Sequence, residues 1–245
     1  MRVMEKALVL AAGLGSRIRS VAGDLPKPLM RFAGAPILAH NLRWLAAGGV
    51  RQVWINLHYG ADLVRETIGD GSAFGLEIRY VFEPELLGTA GALANIAAAV
   101  TEPMLVVYGD NLVRCDLAAL ARARQEQDAW AALALFDRDR HPHTGIAGGR
   151  VELAAGGRIR AFTEGGASTS SLVNAGVYVV SPAILELIPK GRSVDFGRDV
   201  FPAMLDQGRP LTGWVIDQAG FCLGLDTPES HAAGAALIEA GRVAL

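Results

Sequence analysis

Ala7–Leu29 reads ALVLAAGLGSRIRSVAGDLPKPL: an apolar strand that runs into a glycine turn, then Arg17, then Lys27 between two prolines. An apolar run without polar alternation is the pattern of a strand buried on both faces, as in a parallel sheet. Gly13 and Gly15 carry no Cβ, so the backbone there can approach a ligand and turn its N–H groups toward it. Arg17 adds a forked guanidinium and Lys27 a compact ammonium, both suited to phosphate oxygens. The order describes a polyphosphate site. A βα turn with two solvated cations accounts for the glycines, which recur by chance, but leaves the Arg17 and Pro26-Lys27-Pro28 combination unexplained.

Lys27 is unusual in its own chain, which holds twenty arginines and only three lysines, Lys6, Lys27 and Lys190. A cation placed by compositional drift would have been arginine. Pro26 and Pro28 fix φ and push the residues before them toward extended conformations, which predicts a stiff tether for the ammonium.

The 245 residues are enough for one large α/β domain or two small ones. Hydrophobic residues make up 51% and charged residues 20%, which argues against disorder. Net charge is −2 without a basic run, so no nucleic-acid surface is expected and any positive field is local to a site. Arg2 and Lys6 before ALVLAAGLG imitate a signal peptide, but the apolar part is short and two arginines follow. No run approaches the ~18 apolar residues of a membrane span. Cys115 and Cys222 are too few for a disulfide framework, and a reducing cytoplasm is the default expectation.

Along the first half, strand-like and helix-like segments alternate: strands over Lys6–Ala11, Gln52–Leu57, Leu76–Phe82, Met104–Tyr108 and Trp130–Phe136, and helices over Ile37–Ala47, Asp62–Ile68, Thr89–Val100 and Asp116–Gln127. Such alternation predicts a mostly parallel sheet with helices on both faces. After about residue 140 the rhythm changes. Gly145–Val151 and Arg158–Thr163 read as a hairpin and Leu172–Val180 as a further strand, together an insertion lying over the sheet. Gly165–Ser171 is a loop, a short helix follows Pro182, and a strand over Gly220–Leu225 leads into a last helix starting near Thr227. Neither a repeat nor a linker divides the chain.

In open parallel sheets, ligands bind beyond the carboxyl ends of the strands. Besides the opening loop, three clusters fall there. Leu87-Gly88-Thr89-Ala90-Gly91 has glycines that admit a flat base, while Thr89 is equally suited to cap the helix that follows. Asp110, ending LVVYGDN, suits a hard cation such as Mg²⁺ beside substrate phosphates, or else a turn. Asp226 in GLDTPES is a second such carboxylate, and Asp226 to Glu229 also has the spacing of a capping box. His141 and His143 share a polar loop that reads as solvated. No serine elbow, paired CxxC or HExxH supports covalent serine or zinc chemistry.

Taken in order, LAAGLGSR, PKPL, LGTAGAL, VVYGDN, FTEG, NAGVYV and DTPE resemble the sugar-1-phosphate nucleotidyltransferases, most of all the mannose- or heptose-1-phosphate guanylyltransferases and the N-acetylmuramate-1-phosphate uridylyltransferases. The resemblance implies a single Rossmann-like domain, with a nucleotide-binding half over 1–140 and a sugar-phosphate-binding half over 141–245. It implies that Leu10, Ala12, Gly13, Gly15 and Ser16 cradle the nucleotide, with Gly88 and Thr89 at the base or ribose. Arg17 would hold the departing pyrophosphate, and Lys27 would bridge the α-phosphate and the sugar phosphate. Asp110 and Asp226 would bind Mg²⁺, and Asn111, Gly145, Glu164, Asn174 and Gly176 would line the sugar pocket. The implied reaction joins an NTP and a sugar 1-phosphate to give an NDP-sugar and pyrophosphate. The attacking phosphate is already ionised near neutral pH, so cations rather than a general base are required.

Two positions depart from the family. Gly224 stands where many members carry an aspartate, with Asp226 two residues on along the same strand face. Gly165 stands where many have lysine, which leaves Arg160, Lys190 and Arg198 as candidates for the cation on the sugar phosphate. The alternative of another class is a non-catalytic nucleotide-sugar binder. A dinucleotide enzyme is disfavoured because Ile18 occupies the third glycine position of GxGxxG. The chain stops soon after its last helix, leaving no room for a C-terminal β-helix domain, and a monomer or homodimer is expected.

Overall fold

Strand β1 (Lys6–Leu10) lies at the centre of the molecule, and its alternating side chains face two different cores. The computed structural model describes residues 4–13, 25–146, 148–165 and 168–245. Gly15, Ser16 and Arg17 lie outside them. In chain order β1 is followed by β2 (Arg31–Phe32), β3 (Ala35–Pro36), α1 (Ile37–Ala47), β4 (Gln52–Leu57), α2 (Ala61–Ile68), β5 (Glu77–Phe82), α3 (Gly88–Asn95), β6 (Met104–Tyr108), β7 (Asn111–Arg114), α4 (Leu117–Glu126) and β8 (Ala131–Asp137). Then come β9 (Arg150–Leu153), β10 (Ile159–Thr163), β11 (Leu172–Val180), α5 (Phe201–Asp206), β12 (Leu211–Val215), β13 (Phe221–Gly224) and α6 (Pro228–Glu239).

Ala7 and Val9 pack with Leu38 and Leu42 of α1 and Leu117 of α4, while Leu8 and Leu10 pack with Leu93 of α3 and with Phe196 and Phe201. Helices therefore cover both faces. Ala7, Leu8 and Val9 are fully buried, and each Val or Leu so buried is worth about 1.5–3 kcal/mol. That gives the strand ends a stiff base. A third, smaller core of Met30, Phe32, Leu112, Leu223 and Leu225 ties the segment after Lys27 to β7, β13 and α6.

Strands β5, β4, β1 and β6 form a parallel block, with Ala7 beside both Val53 and Leu105. Next to β6 the direction reverses. Strand β11 runs antiparallel to β6 and to β8, and β12 pairs parallel to β8. Strands β9 and β10 extend the same nine-stranded sheet beyond β11, through Val173 opposite Arg150. The segment expected to lie over the sheet is thus part of it, because β11 is a nine-residue strand buried along almost its whole length. Its hairpin partner starts only at Arg150, and the tight turn at Gly156 and Gly157, both with positive φ, joins β9 to β10.

Other differences are local. Helix α3 ends at Asn95, followed by a 3-10 turn over Ala97–Ala99, because Ile96 leaves the helical region at φ −108°. Strands β7 and β12 and the π-helical turn Phe196–Val200 carry no strong periodic signal and were not expected.

Candidate active site at the strand ends

Lys27 begins a 3-10 turn, Lys27–Leu29, closed by Leu29 N–H to the Pro26 carbonyl at 2.8 Å. The prolines thus hold the lysine in a tight turn rather than on an extended tether. Pro26 is seated against Gly60, where any Cβ would meet its ring, and Gly60 itself adopts φ +64°. The ammonium is nearly inaccessible and donates to Asp110 Oδ2 at 2.7 Å and to Asp226 Oδ1. These partners lie 83 and 199 residues away in sequence. Burial works to lower the pKa of Lys27, but the two carboxylates outweigh it and hold it above its ordinary value.

Asp110 is fixed from two sides. Gly109 N–H donates to the Leu10 carbonyl at 2.8 Å, and a Cβ at Gly109 would lie 2.9 Å from that oxygen, so the approach to β1 requires glycine. On the other side, the fully buried Asn41 donates to the Asn111 carbonyl at 2.9 Å. Asp226 arrives on the β7–β13 ribbon, in which Gly224 pairs with Asn111. A side chain at Gly224 would collide with Ile146 at 2.4 Å, which explains why no acid stands there. The helix cap is built by the next residue: Thr227 Oγ1 accepts from Ser230 N–H at 3.2 Å and Ser230 Oγ accepts from Thr227 N–H at 2.9 Å. The capping box expected of Asp226 and Glu229 is therefore made by Thr227 and Ser230, leaving the Asp226 carboxylate to Lys27. Among the described residues no group of three metal-ligating side chains occurs. Two facing aspartates fit Mg²⁺, which usually takes one or two carboxylates and fills its other positions with phosphate oxygens and water.

The glycines of LGTAG serve the protein backbone. A Cβ on Gly88 would lie 2.5 Å from the Val194 carbonyl, and one on Gly91 would lie 2.8 Å from the Arg192 carbonyl. Both Ala90 and Gly91 donate N–H bonds to that Val194 carbonyl. Thr89 is no helix cap. Its hydroxyl accepts from Phe196 N–H at 2.9 Å and donates to Asp195 Oδ2 at 2.8 Å.

Two cavities meet here, sharing Thr89, Tyr108, Asp110 and Asp195. The smaller, about 240 Å³, is lined by Leu10, Ala12, Gly13, Gly88 and Thr89, together with Asn56 and Glu83. Among the described residues, a Cβ on Gly13 would meet nothing within 4 Å. Asn56 accepts from Ala11 N–H at 2.8 Å and donates to the buried Glu83 at 3.0 Å, tying three strand ends together. The larger cavity, about 400 Å³, holds Asn111, Glu164, Asn174, Gly176 and Asp226. Gly145 is absent from its lining, and its neighbours Ile146 and Gly148 are present. Of the three candidate cations, Arg198 reaches this wall, whereas Arg160 pairs with Glu152 at 2.9 Å and Lys190 lies elsewhere.

Glu164 lies in a slot between Gly149 and Gly197, where any Cβ would come within 2.8 Å of its Oε2. Burial and then the nearby Asp195 raise its pKa, partly offset by Arg198. Asn174 and Gly176 sit at an irregularity in β11, where the pairing with β8 shifts register between Asn174 and Tyr178. Gly176 adopts φ +74° there, and a Cβ would press on the Tyr108 ring at 3.0 Å. Neither thiol is poised as a nucleophile, since burial pushes Cys115 up to about 12 and raises Cys222 as well. His141, expected to be solvated, is buried, and its Nδ1 accepts from Asp137 N–H at 2.9 Å.

Sequence reasoning missed Asp195, Tyr108, Asn56 and Glu83. The last stands one residue past a strand that had been recognised, and its position at a strand end was the available signal. Asp195 had none, because its π-helical turn has no periodic pattern.

A buried lysine and paired aspartates at the carboxyl edge of a parallel block stand where open α/β sheets bind their ligands. The chain belongs to the nucleotidyl transferase family, whose profile matches residues 6–219. It is 36% identical over 232 residues to a mannose-1-phosphate guanylyltransferase of Mycobacterium tuberculosis, covering 94% of this chain and 63% of that protein. It is 30% identical to a UTP–glucose-1-phosphate uridylyltransferase of Synechocystis, covering 86% of this chain and 58% of that protein. The chain thus spans a little under two thirds of the length of these curated relatives. In fold it resembles the inositol-1-phosphate CTP transferase of T. maritima, with TM-score 0.79, 23% identity and coverage of 100% and 99%. HddC of Yersinia pseudotuberculosis, solved with GMP-PN, gives TM-score 0.76 at 23% identity, covering 96% of this chain and all of that one.

Proposed function

We propose that the protein transfers a nucleoside monophosphate from an NTP to a sugar 1-phosphate. An oxygen of the sugar phosphate forms a bond to the α-phosphorus in line, the bond to the bridging oxygen breaks, and pyrophosphate leaves with that electron pair. The observation that carries this reading is the convergence of Asp110 and Asp226 on Lys27 at the junction of two cavities. The smaller cavity takes the nucleotide, chiefly with residues of 1–140, and the larger takes the sugar phosphate, chiefly with residues of 141–245. Asp110 and Asp226 would hold Mg²⁺, which when bound neutralises phosphate charge. Lys27 keeps both carboxylates in register and supplies positive charge beside the reacting phosphates. Arg17, outside the described residues, is assigned to the leaving pyrophosphate.

GTP with mannose- or heptose-1-phosphate is the favoured pair, supported by the 36% identical guanylyltransferase. The uridylyltransferase relative keeps UTP, with N-acetylmuramate-1-phosphate or another sugar 1-phosphate, as the second pairing. No helix among the described residues is long and apolar enough to cross a membrane, and a cytoplasmic monomer or homodimer goes with this reading.

Pyrophosphate release with each NTP, Mg²⁺ and a panel of sugar 1-phosphates tests it. Turnover with one NTP well above the rest is expected. No release with any pair, together with tight binding of an NDP-sugar, overturns it in favour of a binding protein.

A further inference from the structure

Among its described lining residues the larger cavity is rich in acceptors. Asp110 and Asp226 share the charge of Lys27, leaving Glu164 and Asp195 as the remaining carboxylates. One N–H of the Asn174 amide donates to Tyr178 Oη at 2.7 Å, and its Oδ1 accepts from Gly176 N–H at 2.9 Å. Asn111 Oδ1 is buried without a donor. Among the described lining residues the one guanidinium is Arg198, 71% exposed at the rim and paired with Asp195 Oδ1 at 3.9 Å.

Asp195 is held still. Its Oδ1 accepts from Gly197 N–H at 2.9 Å and Arg198 N–H at 3.1 Å, and its Oδ2 accepts from the Thr89 hydroxyl at 2.8 Å. Thr89 is oriented in turn by Phe196 N–H. Three of about four lone-pair positions are used, so the carboxylate can accept one more hydrogen bond. Burial first, and then the charge of Asp195, hold the Glu164 carboxyl above its ordinary pKa, against the opposing Arg198.

A wall of this kind complements hydroxyl donors and opposes a further negative charge. We infer that Asp195, with Glu164, restricts the sugar site to uncharged, hydroxyl-rich sugar 1-phosphates and excludes those bearing an additional carboxylate, Asp195 being the specificity-determining residue. The inference rests on the nucleotidyltransferase reading and goes beyond it by choosing between the neutral hexose or heptose and the acidic muramate-type substrate. Repulsion of this sort discriminates without any new attractive contact.

The test compares kcat/KM for mannose 1-phosphate with that for glucuronic acid 1-phosphate and N-acetylmuramate 1-phosphate, at one fixed NTP. The wild type is expected to prefer the neutral sugar on the order of 100-fold, as like-charge opposition at a binding surface warrants. Asp195→Asn should narrow that ratio about tenfold by raising kcat/KM for the acidic sugars, and added salt should narrow it more in the wild type than in the variant. Equal use of acidic and neutral sugars by the wild type overturns the inference, as does an Asp195→Asn protein that loses activity equally on all three. Should Asp195→Asn fail to fold, Glu164→Gln carries the test, and an unchanged ratio in it sinks the proposal. Absence of pyrophosphate release with every sugar would instead count against the underlying reaction.

Discussion

The two halves of the site are built in opposite ways. Around the smaller cavity, β1, β4, β5 and β6 run parallel, and each simply ends where it delivers Gly13, Asn56, Glu83 or Asp110. Around the larger cavity the residues come from interruptions: the shifted register in β11 that carries Asn174 and Gly176, the glycine slot around Glu164, and the π-helical turn behind Asp195. A parallel block places function at its edge by topology alone. An antiparallel region must break its own regularity to aim a side chain inward.

The strongest challenge to this contrast falls at the seam. Lys27→Ala should reduce turnover by roughly 10³-fold or more while the protein stays folded, as expected when a preorganised charge is removed from a phosphoryl-transfer site. Pyrophosphate release and circular dichroism report the two quantities, and near-normal activity would break the assignment. Because the ammonium is held above its ordinary pKa, its share of stability is fully present below about pH 10.4 and is lost only as pH rises through the higher folded value. Alkaline melting of wild type and Lys27→Met should therefore converge.

Next in size is the contrast between neighbours. Asp226→Asn should cost on the order of 10²-fold in turnover with little change in Tm, by the same electrostatic argument. Thr227→Ala should do the reverse, costing about 1 kcal/mol of stability as a lost helix cap with activity largely kept. Equal behaviour of the two variants would mean that capping and site are not separable.

The smallest effect belongs to the larger cavity. Glu164 has its pKa raised in the fold, so its charged form is a cost above that raised value. Glu164→Gln should give a slightly higher Tm at pH 7 and a weaker response to sugar phosphate. The gain in Tm should vanish below about pH 4.3, where the carboxyl is protonated folded and unfolded alike. A lower Tm at neutral pH would show that the slot is stabilising as it stands.

Legibility in the sequence divides along the same line. Ile37–Ala47, Gln52–Leu57 and Met104–Tyr108 were read to the residue because local periodicity and glycine stops mark them. Strand Leu172–Val180 was found, but its place inside the sheet was not, since pairing partners are set by packing far away in sequence. The LGTAG glycines also admit the backbone of residues 192–194, which no local pattern announces. Asp226 was weighed between metal and cap, and only the three-dimensional position of Thr227 and Ser230 separates the two roles.

The clamp on Lys27 also has a consequence in time. Its two anchors are separated from it by 83 and 199 residues, so a chain emerging from the ribosome at ~5–20 residues per second carries Lys27 for roughly 10–40 s before Asp226 exists. Asp110 follows Lys27 after roughly 4–17 s, and from then until Asp226 is made the pair of carboxylates is incomplete. The last ribbon to be synthesised thus acts as the arming step, and an unfinished chain holds substrate-binding parts without a finished centre.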